Sequence, residues 1–296
     1  MVHQKRVTPA ELEAAGSPSE MVSRLKSGTM ETKERLAQLI AALCTQDPSQ
    51  APAVVKANAV KPLVNLIAKG TENGQLHGAS ALAALAANRH EVQTLIAEAG
   101  GIEPIVALLR MGSAGTQEQA INALASVSED PQHQEAIIKQ GALKSVVNLL
   151  KGGKGNTTVY AAAATANLAT GNPEVQKMIL DLEGLPLLLS LLQGGKEKAQ
   201  IHAARAVSKV AEKNRSVQDA ILEQDGIPPL LVLLNGRNIE ATVYAAAALA
   251  ELARDNRETQ DAIAKAGGIG PLLAMLPTGK PQPQAQAASA LAQLSR

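Results

Sequence analysis

Residues 172–213 read NPEVQKMILDLEGLPLLLSLLQGGKEKAQIHAARAVSKVAEK, and residues 214–255 read NRSVQDAILEQDGIPPLLVLLNGRNIEATVYAAAALAELARD. Each stretch opens on Asn, passes through two apolar runs separated near a Gly, and closes on an Ala-rich run. The same register extends along the chain. Val60, Ile102, Leu143, Leu185, Ile227 and Ile269 each follow a small–Gly pair or its equivalent, in steps of 42, 41, 42, 42 and 42 residues. Two further apolar series run in phase with it: Val54, Ile96, Ile137, Ile179, Ile221, Ile263, and Leu85, Val127, Leu168, Val210, Leu252, Leu294. Upstream, Leu25, Gly28 and Leu43 lie 42 residues before Ile67, Gly70 and Leu85. One period held by three markers is the mark of a repeat architecture.

Each unit reads as three helices. The first opens on Asp47-Pro48, Asp130-Pro131 or Asn172-Pro173, or on a bare Asn at Asn88, Asn214 and Asn256. Asn and Asp accept from the unpaired N–H groups of a first turn, and Pro suits its first position. Gly100, Gly141, Gly184, Gly226 and Gly267 are expected to end that helix. The second carries an apolar run, as in Pro229 to Leu234, and stops near Gly70, Gly112, Gly152, Gly194, Gly236 and Gly279. The third is longer and Ala-rich, as in Ala245 to Ala253. The expected fold is an all-α solenoid of about six three-helix repeats (47–87, 88–129, 130–171, 172–213, 214–255, 256–296). A partial repeat (18–46) precedes them. Residues 1–17 read as a flexible leader with room for a helix from Pro9 to Ala15.

Composition agrees. There is no Phe or Trp and only two Tyr, while 46% of residues are hydrophobic. Such a core of Ala, Leu, Ile and Val suits close-packed helices better than a β-sandwich. A formal charge of +1 gives no electrostatic case for nucleic acid or an anionic membrane. One Cys excludes an internal disulfide framework and fits a reducing compartment. Apolar runs such as Leu185 to Leu192 are too short to span a bilayer. Val2 excludes N-myristoylation of the chain as it stands. Lys5 and Arg6 are too few for a nuclear signal. The expected setting is the cytoplasm, with the nucleus as a second compartment.

The stretch Asn256 to Ile263, followed by Gly267 to Leu273, resembles the first and second helices of armadillo repeats, and Ala166-Asn167-Leu168-Ala169 resembles the end of the third. The resemblance covers residues 18–296. It implies a right-handed superhelix whose third helices line a concave groove that holds a protein or peptide partner. It implies no enzyme, cofactor or metal.

In that family a peptide-binding Asn stands where this chain has Asn167. An exposed helical stripe recurs at i, i+3 and i+7, which adds Ala163 and Tyr160. Carried along the chain, the register gives Arg35, Gln38, Ala42; His77, Ser80, Ala84; Gln119, Asn122, Ser126; His202, Arg205, Lys209; Tyr244, Ala247, Glu251; and Gln286, Ser289, Gln293. The candidate partner-binding residues are Tyr160, Asn167, His202, Arg205, Lys209, Tyr244, Glu251, Asn122, Gln119 and His77. Both Tyr share one register two repeats apart, with Arg205 and Lys209 between them. A solvated polar face is the plainer alternative for the stripe, and ridge packing for either Tyr.

The importin-α-like nuclear transport adaptors of this family pair a ladder of Asn with a ladder of Trp. Here the Asn position reads Ala84, Ser126, Asn167, Lys209, Glu251, Gln293, and no Trp exists. That opposes binding of basic nuclear-localisation peptides in the usual way. The mixture of Arg35, Arg205 and Lys209 with Glu251 also weakens the analogy with the strongly basic grooves of β-catenin-like members. The substrate-recruiting armadillo part of a ubiquitin ligase is the other alternative.

Catalytic signatures are missing. Gly152 to Thr158 resembles a phosphate loop but lies between helices with the wrong Gly spacing. Cys44 aligns with the small core position Ala86. His77 and His202 lie three repeats apart, too far to share a metal. The reading is a non-enzymatic scaffold, with a further contact possible at the C-terminal edge, where the last helix carries few charges.

Overall fold

The computed structural model describes residues 7–296, and Val2, Lys5 and Arg6 lie outside the described residues. Helices follow one another with no strand among the described residues. The chain divides into two compact units, residues 1–145 and 146–296.

In the first unit, helices Pro18–Ser27 and Met30–Gln46 precede two full sets of three. These are Ala51–Lys56, Val60–Lys69, Glu72–Ala86, and His90–Glu98, Ile102–Met111, Ala114–Val127. The long Ala-rich helices Met30–Gln46, Glu72–Ala86 and Ala114–Val127 pack side by side. In the second unit the corresponding row is Asn156–Ala169, Glu197–Val210, Ile239–Ala253 and Pro281–Leu294. Ala at the contact positions lets these helices approach closely: Ala203, Ala204, Ala245 and Ala246 are wholly buried.

The N-terminal segment carries structure. Pro9–Ala15 is a helix with a reciprocal capping box between Thr8 and Glu11. Glu11 also meets Arg35 of the long helix at 2.6 Å, and Val7 is buried.

Two details of the punctuation differ from the sequence reading. The first helix of the second set starts at His90 with Arg89, not Asn88, as its N-cap, and Asn88 takes positive φ instead. Arg89 sits in the register of Asp47 and Asp130, and its guanidinium donates to the carbonyls of Ala84, Leu85, Ala87 and Pro48. Second, the left-handed residues at the first-helix ends are Asn58, Gly100, Gly141, Glu183, Asp225 and Gly267. Gly184 and Gly226 therefore do not end those helices; they stand at the start of the next. Their requirement is steric. A Cβ on Gly226 would lie 2.5 Å from Ile221 Cγ2 and 3.1 Å from Leu189 Cδ2 of the preceding set.

Leu189 and Leu231 are 5% and 9% exposed beneath the glycine that follows each, whereas Leu273, one period later, is 51% exposed. Ile269 is likewise 41% exposed where Leu185 and Ile227 are buried.

Candidate functional site

The stripe register falls at the margin of burial on each long helix. On Glu197–Val210, His202, Arg205 and Lys209 are half-buried while the residues between them are buried. On Ile239–Ala253, Tyr244, Ala247 and Glu251 are half-buried. On Asn156–Ala169, Tyr160 is half-buried, but Ala163 and Asn167 are 8% and 3% exposed. The three helices are successive neighbours, so Tyr160, Asn167, His202, Arg205, Lys209, Tyr244 and Glu251 share one face of one unit. In the other unit, His77 of Glu72–Ala86 and Gln119 and Asn122 of the adjacent Ala114–Val127 are also half-buried.

Much of the charge in this register is already paired. Arg205 Nη2 donates to Asn167 Oδ1 at 2.7 Å, tying neighbouring helices together. Lys209 Nζ meets Glu212 at 3.3 Å, and Glu251 takes a two-pronged contact from Arg254 at 2.8 and 2.9 Å. Lys209 is compensated, Asn167 is covered, and Arg205 makes no ion pair among the described residues. Burial, then Arg205, pushes the His202 pKa below 6.5, with Glu240 opposing and Lys198 adding to the depression. Its Nδ1 is buried with no hydrogen-bond partner among the described residues. His77 shifts the same way, again through burial first.

The residues that hold these helices in place were not singled out in the sequence. Gln176, 1% exposed, donates through Nε2 to the carbonyls of Ala169, Lys209 and Glu212 at 3.2, 3.0 and 3.2 Å. Gln218 does the same for Ala211 and Glu251, at 3.4 and 2.9 Å. Each Gln thus binds the C-terminal carbonyls of two successive long helices, groups that a helix leaves unpaired. Asn214 caps its own helix and donates to Gln176 Oε1 at 3.0 Å; Asn256 does so to Gln218 at 3.3 Å. The signal was present in the sequence, because Gln93, Gln134, Gln176, Gln218 and Gln260 recur with the repeat.

No group of three or more His, Cys, Asp or Glu able to hold a metal exists among the described residues. Cys44 is 2% exposed, and burial pushes its thiol up to about 11, far from a nucleophile's range. No single described helix is long and apolar enough to cross a membrane.

An all-α stack of three-helix repeats with a half-exposed polar and aromatic register defines the class, a repeat-built binding scaffold. A family model described as armadillo-like matches residues 55–267, well over half of the chain, and the chain belongs to that family. Among solved structures, an engineered protein superposes with a TM-score of 0.81 at 30% identity, over 97% of this chain and 71% of its own. A designed armadillo repeat protein matches at TM-score 0.71 and 27% identity, over 80% of this chain and 100% of its own. Computationally designed armadillo repeat proteins for modular peptide recognition match at 0.68 and 27%, over 79% of this chain and 99% of theirs. Comparison with curated protein sequences gives no match.

Proposed function

We propose that this protein is a scaffold that holds an extended or helical segment of a partner protein across its long helices, in the register of Tyr160, Arg205 and Tyr244. The observation that carries the reading is the alternation on those helices. Buried Ala and Leu surround a line of half-exposed Tyr, His and Arg, and Tyr and Arg are the side chains that anchor interfaces. Arg205 is a half-buried cation of this face with no ion pair among the described residues, so the favoured segment places one carboxylate between two apolar side chains. The similarity to proteins designed for peptide recognition supports the same use. The unmatched Asn register and the unpaired cation Arg205 disfavour a transport adaptor for basic peptides, and the cytoplasm is the setting in which we place the scaffold.

The test is selection from a displayed peptide library, followed by titration of selected peptides. Tyr160→Ala and Tyr244→Ala should each weaken binding by about 1–3 kcal/mol with little change in melting temperature. A sharp fall in melting temperature with binding intact would make the rings packing residues.

A further inference from the structure

The first unit carries a cleft of 590 Å³ that shares no lining residue with the long-helix register. It lies between Pro18–Ser27, the start of Met30–Gln46, and Val60–Lys69. Leu25 and Leu66 belong to its apolar lining, and Met30 is a 42%-exposed wall. Around them stand Lys26, Lys33, Lys61 and Lys69, and no carboxylate lines the cleft. Lys26 Nζ is anchored on the Ala57 carbonyl at 2.9 Å. Lys33, Lys61 and Lys69 make no ion pair among the described residues.

Lys26 follows the repeat, since Arg110 makes the equivalent contact to the Gln140 carbonyl, but other cations of the cleft depart from their nearest counterparts. Lys33 occupies the register of Gln117 and Gln200, whose amides tie the carbonyls of Leu109 and Leu192 at 3.1 and 2.9 Å. The counterpart of Lys61, one period on, is Glu103. A chain with a net charge of only +1 therefore gathers four cations around one apolar hollow.

The spacing selects the ligand. Lys61 and Lys69 are eight residues apart on one helix, about 12 Å along its axis. A single anionic head group cannot meet both. A chain segment with several carboxylates can, and an apolar side chain between them would fill the hollow. Charge complementarity of this kind favours encounter and fixes orientation. We propose that this cleft docks an acidic segment of a second protein, with an apolar side chain seated against Leu25, Met30 and Leu66. The site is separate from the long-helix register and stands or falls independently of it.

Fluorescence anisotropy with the full chain and a labelled Glu-Leu-Glu-Glu-Leu-Glu peptide tests this. Wild type should bind, more weakly as salt shortens the screening length. The double variant Lys61→Glu/Lys69→Glu, altered only at exposed positions, should lose about tenfold or more in affinity. Met30→Gln should lose several-fold, and all of these losses should be the same in an Arg205→Ala background, where the long-helix register has lost its own cation. Equal binding by wild type and the Lys61→Glu/Lys69→Glu variant would overturn the proposal. So would equal binding of a Lys-Leu-Lys-Lys-Leu-Lys peptide. Binding to phosphatidylserine vesicles in place of the acidic peptide would overturn it in favour of a lipid surface.

Discussion

Gln93 is wholly buried, and its Oε1 has no hydrogen-bond partner among the described residues. Its Nε2 is used on Ala86 O and Glu129 at 3.2 and 2.9 Å. The equivalent oxygens of Gln176 and Gln218 accept from the cap residues Asn214 and Asn256. The cap in the matching place for Gln93 is Asp130, whose carboxylate caps Gln132 N at 3.0 Å but has no N–H to give. Asp130→Asn should supply the missing donor while keeping the cap, since Asn and Asp cap equally well. Relief of a buried unpaired acceptor amounts to about 1–3 kcal/mol. Loss of a negative charge at a helix N-terminus offsets roughly 0.3–1 kcal/mol of that. The net expectation is a stabilisation of about 1 kcal/mol, or a rise in melting temperature of about 2 °C for a chain of this size. Differential scanning fluorimetry should show the rise. The same substitution in a Gln93→Leu background should show none, because the acceptor is gone. A lowered melting temperature, or an equal rise in both backgrounds, would refute the reasoning.

Three further outcomes are expected. His202 and His77 have folded pKa values depressed below 6.5, so the unfolded chain binds more protons. Their contribution is present above the unfolded pKa and lost as pH falls through it towards the folded values. Urea unfolding should show His202→Gln flattening this acid-side loss. Leu231→Ala should cost about 2–5 kcal/mol, whereas Leu273→Ala, at 51% exposure, should cost well under half of that; similar costs would mean that Leu273 is covered in solution. Finally, the thiol of Cys44 should resist iodoacetamide at pH 8 in the native protein and react promptly in urea, since burial holds it protonated.

The repeat was legible because each marker is a steric or capping requirement that recurs with the fold. Val54 and Ile96 mark buried first-helix positions, and Asn172 and Asn214 cap first helices. The glycines were harder to read. A left-handed residue and a close-approach residue stand side by side at 100–101 and 267–268, where both are Gly, but at 183–184 and 225–226 only the second is. Sequence alone offered one Gly for two jobs, and the wrong job was assigned. In the register, side-chain type and helical phase led to positions that are mostly half-buried, while Ser126, Ala163, Asn167 and Gln293 are buried. Type and phase did not reveal that Glu212 and Arg254, three residues beyond Lys209 and Glu251, fold back to neutralise them. Nor did they show that Asn167 lies under Arg205. Those facts depend on how neighbouring helices meet. The lysine cleft was missed for the same reason, because its residues come from three helices whose adjacency is tertiary.

Photo-crosslinking from the register itself tests the central claim most directly. A benzophenone amino acid placed at Ala247, half-buried one turn from Tyr244, should capture a selected partner peptide. The same group at Val232, 70% exposed on a neighbouring shorter helix, should not. Capture from Val232 with none from Ala247, in protein of unchanged melting temperature, would contradict the assignment of partner binding to the long helices.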